Sequence, residues 1–92
     1  MELSFDEQKR QLTLENRGLD FADAPKLFEG VTLTVEDDRF DYGEVRYQTI
    51  GRLNRSTVMV VWTQRGKARH IISMRKCNAK ERKRYEANLG GP

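Results

Sequence analysis

Thr57-Val58-Met59-Val60-Val61-Trp62-Thr63 is the stretch on which the fold turns. It carries no charge and has large apolar or β-branched side chains at successive positions, so both of its faces want burial. That pattern predicts a central strand and excludes an exposed edge. Downstream, Gln64 to Lys67 turns around Gly66, and Arg69 to Met74 predicts a last strand with Ile71 and Ile72 on opposite faces. Upstream, Arg52 to Ser56 makes a turn, and Val45 to Leu53 predicts an antiparallel neighbour. Before that, Val31, Leu33 and Val35 alternate with Thr32 and Thr34 after Gly30, which predicts a half-buried strand. Glu36 to Glu44 separates these two strands with the turn-forming Asp37, Asp38, Asp41 and Gly43. Four strands in succession predict an antiparallel meander.

Helices are expected on either side of it. A short apolar start, Leu3 and Phe5, precedes Asp6, whose carboxylate can accept from the free amides of a following turn; the helix should run to about Arg17 and stop at Gly18. Phe21, Ala24, Leu27 and Phe28 recur at helical spacing and predict a second, short helix packed on the sheet. With Asp20 as cap, Pro25 removes one amide bond past the first turn. With Asp23 as cap, Pro25 falls at the second helical position, where no bond is lost; both registers stay open. Asn78 and Glu81 form a capping-box pattern that predicts a closing helix over about Ala79 to Leu89. Only Ala79, Tyr85, Ala87 and Leu89 are available for burial there, so the helix belongs at the periphery. Gly90 to Pro92 reads as a frayed tail. The predicted fold is α+β: two N-terminal helices, a four-stranded antiparallel meander sheet and a C-terminal helix, in one domain spanning 1–92.

The 92 residues are 37% hydrophobic and 34% charged, enough for one modest core beneath an ionic surface. No run approaches the roughly 18 to 20 apolar residues of a membrane span, and the acidic start lacks the pattern of a secretory signal, so a cytoplasmic protein is expected. With one cysteine, Cys77, and one histidine, His70, neither an internal disulfide nor a multi-thiolate zinc site is expected, and no metal or cofactor. Charge is divided unequally. Met1 to Glu44 holds 5 Lys or Arg against 12 Asp or Glu, a net of −7; Val45 to Pro92 holds 12 against 2, a net of +10. Clustered cations displace condensed counterions from a phosphate backbone, so nucleic acid is the first expected partner. The ordinary alternative is that the two halves attract each other within the fold.

A phosphate-binding glycine loop, a Gly-x-Ser-x-Gly elbow, paired histidines and an aromatic RNA-recognition segment are all missing. Cations remain: Arg65, Lys67, Arg69, Arg75, Lys76, Arg82, Lys83 and Arg84. RNA cleavage without a metal needs a base for the 2′-hydroxyl, a cation for the charge on phosphorus and an acid for the departing 5′-oxygen. Arginine suits the second role, since its planar fork holds two phosphate oxygens. His70, Glu81 and Tyr85 are the candidates for moving protons, and Glu81 and Tyr85 share a helical face. Each has an ordinary role beside the catalytic one: a surface or structural histidine, a capping-box carboxylate, a packed tyrosine. Arg65 and Arg75 lie at opposite ends of neighbouring antiparallel strands, so their convergence requires twist or the closing helix. Trp62 and Tyr47 read as core residues, and Cys77 as a small half-buried one.

Phe5-Asp6 with Lys9, then Gly18, Phe21 and Ala24, then Asp41-Tyr42-Gly43-Glu44 with Arg46 and Gly51, run in a set order. Val60-Val61-Trp62-Thr63 with Arg65 follows, and then Ile71-Ile72-Ser73-Met74-Arg75-Lys76 with Glu81, Arg82 and Tyr85. In that order they resemble the BrnT toxins over nearly the whole chain, to about Glu86. The resemblance implies a RelE-like fold and a ribonuclease toxin of a type II toxin–antitoxin pair. It also implies a BrnA-like ribbon-helix-helix antitoxin as partner, with operator DNA bound only through that antitoxin. It places Arg65, Arg75, Glu81, Arg82 and Tyr85 on motif positions. The chain departs from the family pattern at Asn16-Arg17-Gly18, where a Lys-His-Gly is usual. It departs again at Phe5, which replaces a tryptophan, and at His70, which replaces an arginine.

The resulting expectation is a metal-independent endoribonuclease. Arg65 and Arg75 stabilise the phosphorane, His70, Glu81 or Tyr85 moves protons, and Arg69, Lys76, Arg82 and Lys83 grip the RNA. The rival expectation is a noncatalytic module of the same fold that binds nucleic acid or the antitoxin.

Overall fold

The uncharged stretch around Val60 lies at the middle of a sheet. The computed structural model describes residues 1–90, and Gly91 and Pro92 of the expected tail lie outside the described residues. In chain order the elements are β1 (Glu2–Phe5), α1 (Glu7–Arg17), a 3-10 turn (Phe21–Asp23) leading into α2 (Ala24–Glu29), β2 (Leu33–Asp37), β3 (Arg46–Leu53), β4 (Ser56–Arg65), β5 (Ala68–Lys76) and α3 (Ala79–Gly90). The sheet order is β1-β5-β4-β3-β2. β2, β3, β4 and β5 pair antiparallel with their sequence neighbours.

The expected fold class is corrected by β1. A fifth strand adds itself in parallel to β5, from Glu2 opposite Ala68 to Phe5 opposite Ile71, so the sheet is five-stranded and mixed, not a four-stranded antiparallel meander behind two helices. The alternation Leu3, Phe5 is a strand signal only four residues long. Its partner is remote in the chain, Ser4 and His70 being 66 residues apart. No local turn announces such a pairing.

One sheet face carries Leu53, Val58, Val60, Trp62, Ile71 and Met74, closed by Leu19, Phe21, Ala24 and Leu27. Phe28 stands edge-on to Trp62 with ring centres 5.7 Å apart. The Trp62 indole donates to Thr49 Oγ1 at 2.8 Å, so its buried N–H has a partner. Gly51 lies under Leu27: a Cβ there would stand 2.9 Å from Leu27 Cγ and Cδ2. The second face is only partly closed, because Tyr85 of α3 covers Ile50, Met59 and Cys77 and the helix reaches no further into the core. β5 also departs from plain alternation. Ile71 pairs with Trp62 and Ser73 with Val61, which leaves Ile72 as an unpaired bulge residue beside α1.

Helix ends follow local chemistry. Asp6 accepts from the Lys9 amide at 3.1 Å, and Gly18 stops α1 at φ 67°. Asp20 caps the 3-10 turn through the Ala22 amide at 2.9 Å, while Asp23 precedes α2 without a side-chain bond and Pro25 sits in its first turn. Helix α1 has no buried residue. Polar contacts hold it: Arg10 to Asp20 at 2.8 and 3.2 Å, and Arg17 Nη1 to the Met74 carbonyl at 2.7 Å. The capping box of α3 forms in both directions, Glu81 N to Asn78 Oδ1 at 2.8 Å and Asn78 N to Glu81 Oε1 at 2.9 Å.

Candidate active site

Because α3 stops short, the second sheet face carries cross-strand rows of decreasing cover. Leu33, Ile50, Met59 and Arg75 form the row beneath α3; Val35, Gln48, Val61 and Ser73 form the next, half-buried and uncovered. Beyond it come Asp37 and Arg46, then Thr63 paired with His70. Arg65, two positions past Thr63, points to the same face. The open face therefore has Arg75 at one end and His70 with Arg65 at the other.

At the His70 end, β1 contributes directly. Ser4 Oγ lies 2.8 Å from His70 Nδ1, which fixes the imidazole against the sheet edge and leaves Nε2 without a hydrogen bond among the described residues. Burial, followed by the positive charge of Arg65, holds the imidazole below its ordinary value; Lys9 acts in the same direction, and Glu44 and Asp6 oppose it. A neutral imidazole at physiological pH is the consequence. Arg65 Nη2 is 3.7 Å from Glu44 Oε1, and Arg46 Nε is 3.1 Å from Glu44 Oε2. One carboxylate thus faces two guanidinium groups, and the local charge stays positive. Arg46 stacks over the Tyr42 ring at 4.0 Å, and Tyr42 donates to Asp37, which also holds Arg39 at 2.8 and 2.9 Å. These contacts order the loop between β2 and β3 as a wall. On the other side, α1 and β5 enclose a cleft of about 270 Å³ lined by Lys9, Leu12, Asn16, Arg17, Ile72 and Ser73.

At the opposite end, Arg75 is engaged internally. Its Nη1 and Nη2 donate to the two Glu81 oxygens at 2.8 and 2.7 Å, a bidentate pair that pins the first turn of α3 onto β5. Arg75 holds the Glu81 carboxyl down at about 2, with the Asn78 amide helping. Such a carboxylate is ionised but a weak base. The two ends are two rows apart, about 13 Å at ~3.3 Å per residue. Arg65 and Arg75, six positions apart along β4 by register, are about 20 Å apart and do not converge.

The remaining expected site residues are dispersed. Tyr85 is 2% exposed and donates to the Val31 carbonyl at 2.7 Å, within the core. Arg69 pairs opposite Gln64 and lies over the Phe28 and Trp62 rings at 4.4 and 4.8 Å, on the other face of the sheet. Lys76 and Arg82 line a separate cleft at the turn between β3 and β4, and Lys83 is exposed on α3. Sequence reasoning did not single out Ser4, Lys9, Glu44 or Arg46 as site residues. They lie in or beside the acidic half, and only the fold brings them to His70. Among the described residues no group of three or more His, Cys, Asp or Glu side chains is placed to hold a metal ion, and no helix is long and apolar enough to cross a membrane.

Residues 5–81 match the family model of the ribonuclease toxin BrnT of type II toxin–antitoxin systems. A search of curated proteins found no match. The matched segment covers most of the chain and includes Arg65, His70 and Arg75 of the open face, while Ser4 lies just before it, so the chain belongs to the BrnT family. It is a ribonuclease of a toxin–antitoxin pair, and its partner is an antitoxin.

Proposed function

We propose that this BrnT chain cuts single-stranded RNA at the His70 end of the open sheet face, by attack of the 2′-hydroxyl on the adjacent phosphorus. The observation that carries the reading is the imidazole fixed by Ser4 beside Arg65, with its proton affinity lowered. With the proton on Nδ1 and Ser4 Oγ accepting, the Nε2 lone pair takes the 2′-hydroxyl proton. Arg65 donates to the non-bridging oxygens as negative charge builds on phosphorus. The P–O5′ bond then breaks, and the 5′-oxygen takes a proton from solvent on this uncovered face. Products are a 2′,3′-cyclic phosphate and a 5′-hydroxyl.

The guanidinium groups supply the charge stabilisation, so cleavage should proceed without added divalent cation. Lys9 and Arg17 hold the phosphate of a neighbouring nucleotide in the cleft between α1 and β5. Arg75 and Glu81 act mainly as a clamp for α3, with the exposed edge of Arg75 facing RNA further along. In this reading the antitoxin is a ribbon-helix-helix protein that carries the pair to operator DNA, and the chain works in the cytoplasm.

The test is end-group analysis of RNA incubated with the purified chain in chelator. Cyclic phosphate ends that vanish with Arg65→Ala support the reading. Ends with a 3′-hydroxyl and a 5′-phosphate, or cleavage that chelator abolishes, would exclude it.

A further inference from the structure

A second cleft lies away from the His70 end, where the turn between β3 and β4 meets the start of α3. Its volume is about 250 Å³, and its lining includes Arg52, Arg55, Lys76 and Arg82, with Ser56 and Thr57 supplying hydroxyls. Glu86 is the single carboxylate in the lining, so four cations face one anion. Among the described residues none of the four cations forms an ion pair. Arg82 is nevertheless placed: its Nη1 donates to the Cys77 carbonyl at 3.1 Å, and the Cys77 amide donates to the Thr57 carbonyl at 2.9 Å. That chain of bonds ties the helix start to the start of β4 and holds one wall of the cleft in position.

Unpaired guanidinium groups around a small polar hollow are the arrangement that recognises a phosphodiester, through bidentate donors assisted by hydroxyls. The hollow is smaller than most ligand pockets, which fits one backbone phosphate with its sugar better than a stacked base. Its location adds a second argument. Arg82 follows Glu81 on α3, about 100° further around the helix. Glu81 holds Arg75 on the flank facing the open sheet, and Arg82 faces the cleft. Positive charge therefore passes over the first turns of α3, with Lys80 and Lys83 exposed beside it.

We propose that this cleft is a remote subsite for an RNA backbone phosphate, several nucleotides from the point of scission, occupied only by substrates long enough to cross α3. Its occupant rests on the ribonuclease reading above; the experiment separates the two. The probe for binding is a labelled 2′-O-methyl RNA 12-mer, titrated between 50 and 300 mM salt against wild type and an Arg52→Gln/Arg55→Gln variant. The probe for scission is cleavage of a dinucleotide, too short to reach the cleft. Each single-strand phosphate contact contributes about 0.7 to the salt slope of log K. Loss of the one phosphate contact in the cleft should lower that slope by about 0.7 and the affinity for the 12-mer about 5-fold at 0.1 M salt, taken against a 1 M reference.

Dinucleotide cleavage by the variant should equal that of wild type. Both arginines are exposed, and an unchanged circular dichroism spectrum and melting temperature confirm that the fold is intact. Unchanged 12-mer affinity and slope would overturn the proposal. Weakened antitoxin binding with RNA binding intact would also overturn it, by giving the cleft to an acidic segment of the partner. Failure of wild type to cleave the dinucleotide would instead count against the scission site and leave the 12-mer titration to decide on the cleft.

Discussion

Replacing Glu81 by Gln separates a structural carboxylate from a catalytic one. Glu81 accepts three bonds, two from Arg75 and one from the Asn78 amide. A Gln side chain keeps one acceptor oxygen and turns an amide N–H₂ towards Arg75, where donor meets donor at a position now 2.7 Å apart. The fall of the Glu81 carboxyl from 4.5 to about 2 corresponds to about 3 kcal/mol. Side-chain exposures of 21% for Glu81 and 41% for Arg75 call for a solvent discount, to about 2 kcal/mol. In a domain of this size that lowers the melting temperature by roughly 8 to 16 °C.

The pH dependence has a definite sign. Because the folded-state value is depressed, the Glu81 contribution is present above pH 4.5 and is lost as pH falls towards 2, so the wild-type and Gln melting curves should draw together over that interval. Thermal melts between pH 2 and 7 measure it. At neutral pH and a temperature where both proteins are folded, RNA cleavage by Glu81→Gln should stay within a few-fold of wild type. A general base contributes about 10²- to 10⁴-fold. A folded variant with a rate loss in that range would refute the structural assignment of Glu81.

Three other substitutions test particular contacts. Tyr85→Phe removes the part-buried bond to the Val31 carbonyl and should cost about 1 kcal/mol in denaturant titration while leaving cleavage unchanged. A large rate loss would mean that the hydroxyl reaches substrate. Gly51→Ala should destabilise by about 1 to 3 kcal/mol, because the new methyl presses on Leu27 and the helix above it; equal denaturation midpoints would show that α2 can move aside. For wild type, the pH–rate profile on a dinucleotide should rise to a plateau with a midpoint below the ordinary histidine value of 6.5, and Arg65→Gln should move that midpoint upward. A profile without a limb in that region would remove His70 from the chemistry.

The sequence carried the strands best where local pattern and burial agree. The uncharged run around Val60 is the buried centre of the sheet, and the Asn78–Glu81 pattern closes as a box. Strand β1 escaped because four residues hold too little periodicity, and its pairing with β5 spans 66 residues of chain. The bulge at Ile72 escaped for a related reason: an extra residue in one strand is visible only against its partner. Of the candidate site residues, the cations stood out by charge, but their grouping did not. Arg75 could not be matched with Glu81, nor Arg65 with His70, until the register was known. Antiparallel order had already placed Arg65 and Arg75 at opposite ends, and the structure keeps them there. Ser4 and Lys9 became visible only when β1 and α1 were laid along β5.

On the proposed reading, scission takes place beside His70 and Arg65, with Arg75 serving the helix. Single-turnover cleavage of a dinucleotide by His70→Gln and Arg75→Gln, each confirmed as folded, tests it most directly. His70→Gln should lose about 10²- to 10⁴-fold in rate and Arg75→Gln less than about 10-fold. The reverse order, with Arg75→Gln inactive and His70→Gln near wild type, would contradict it and move the reaction centre to the foot of α3.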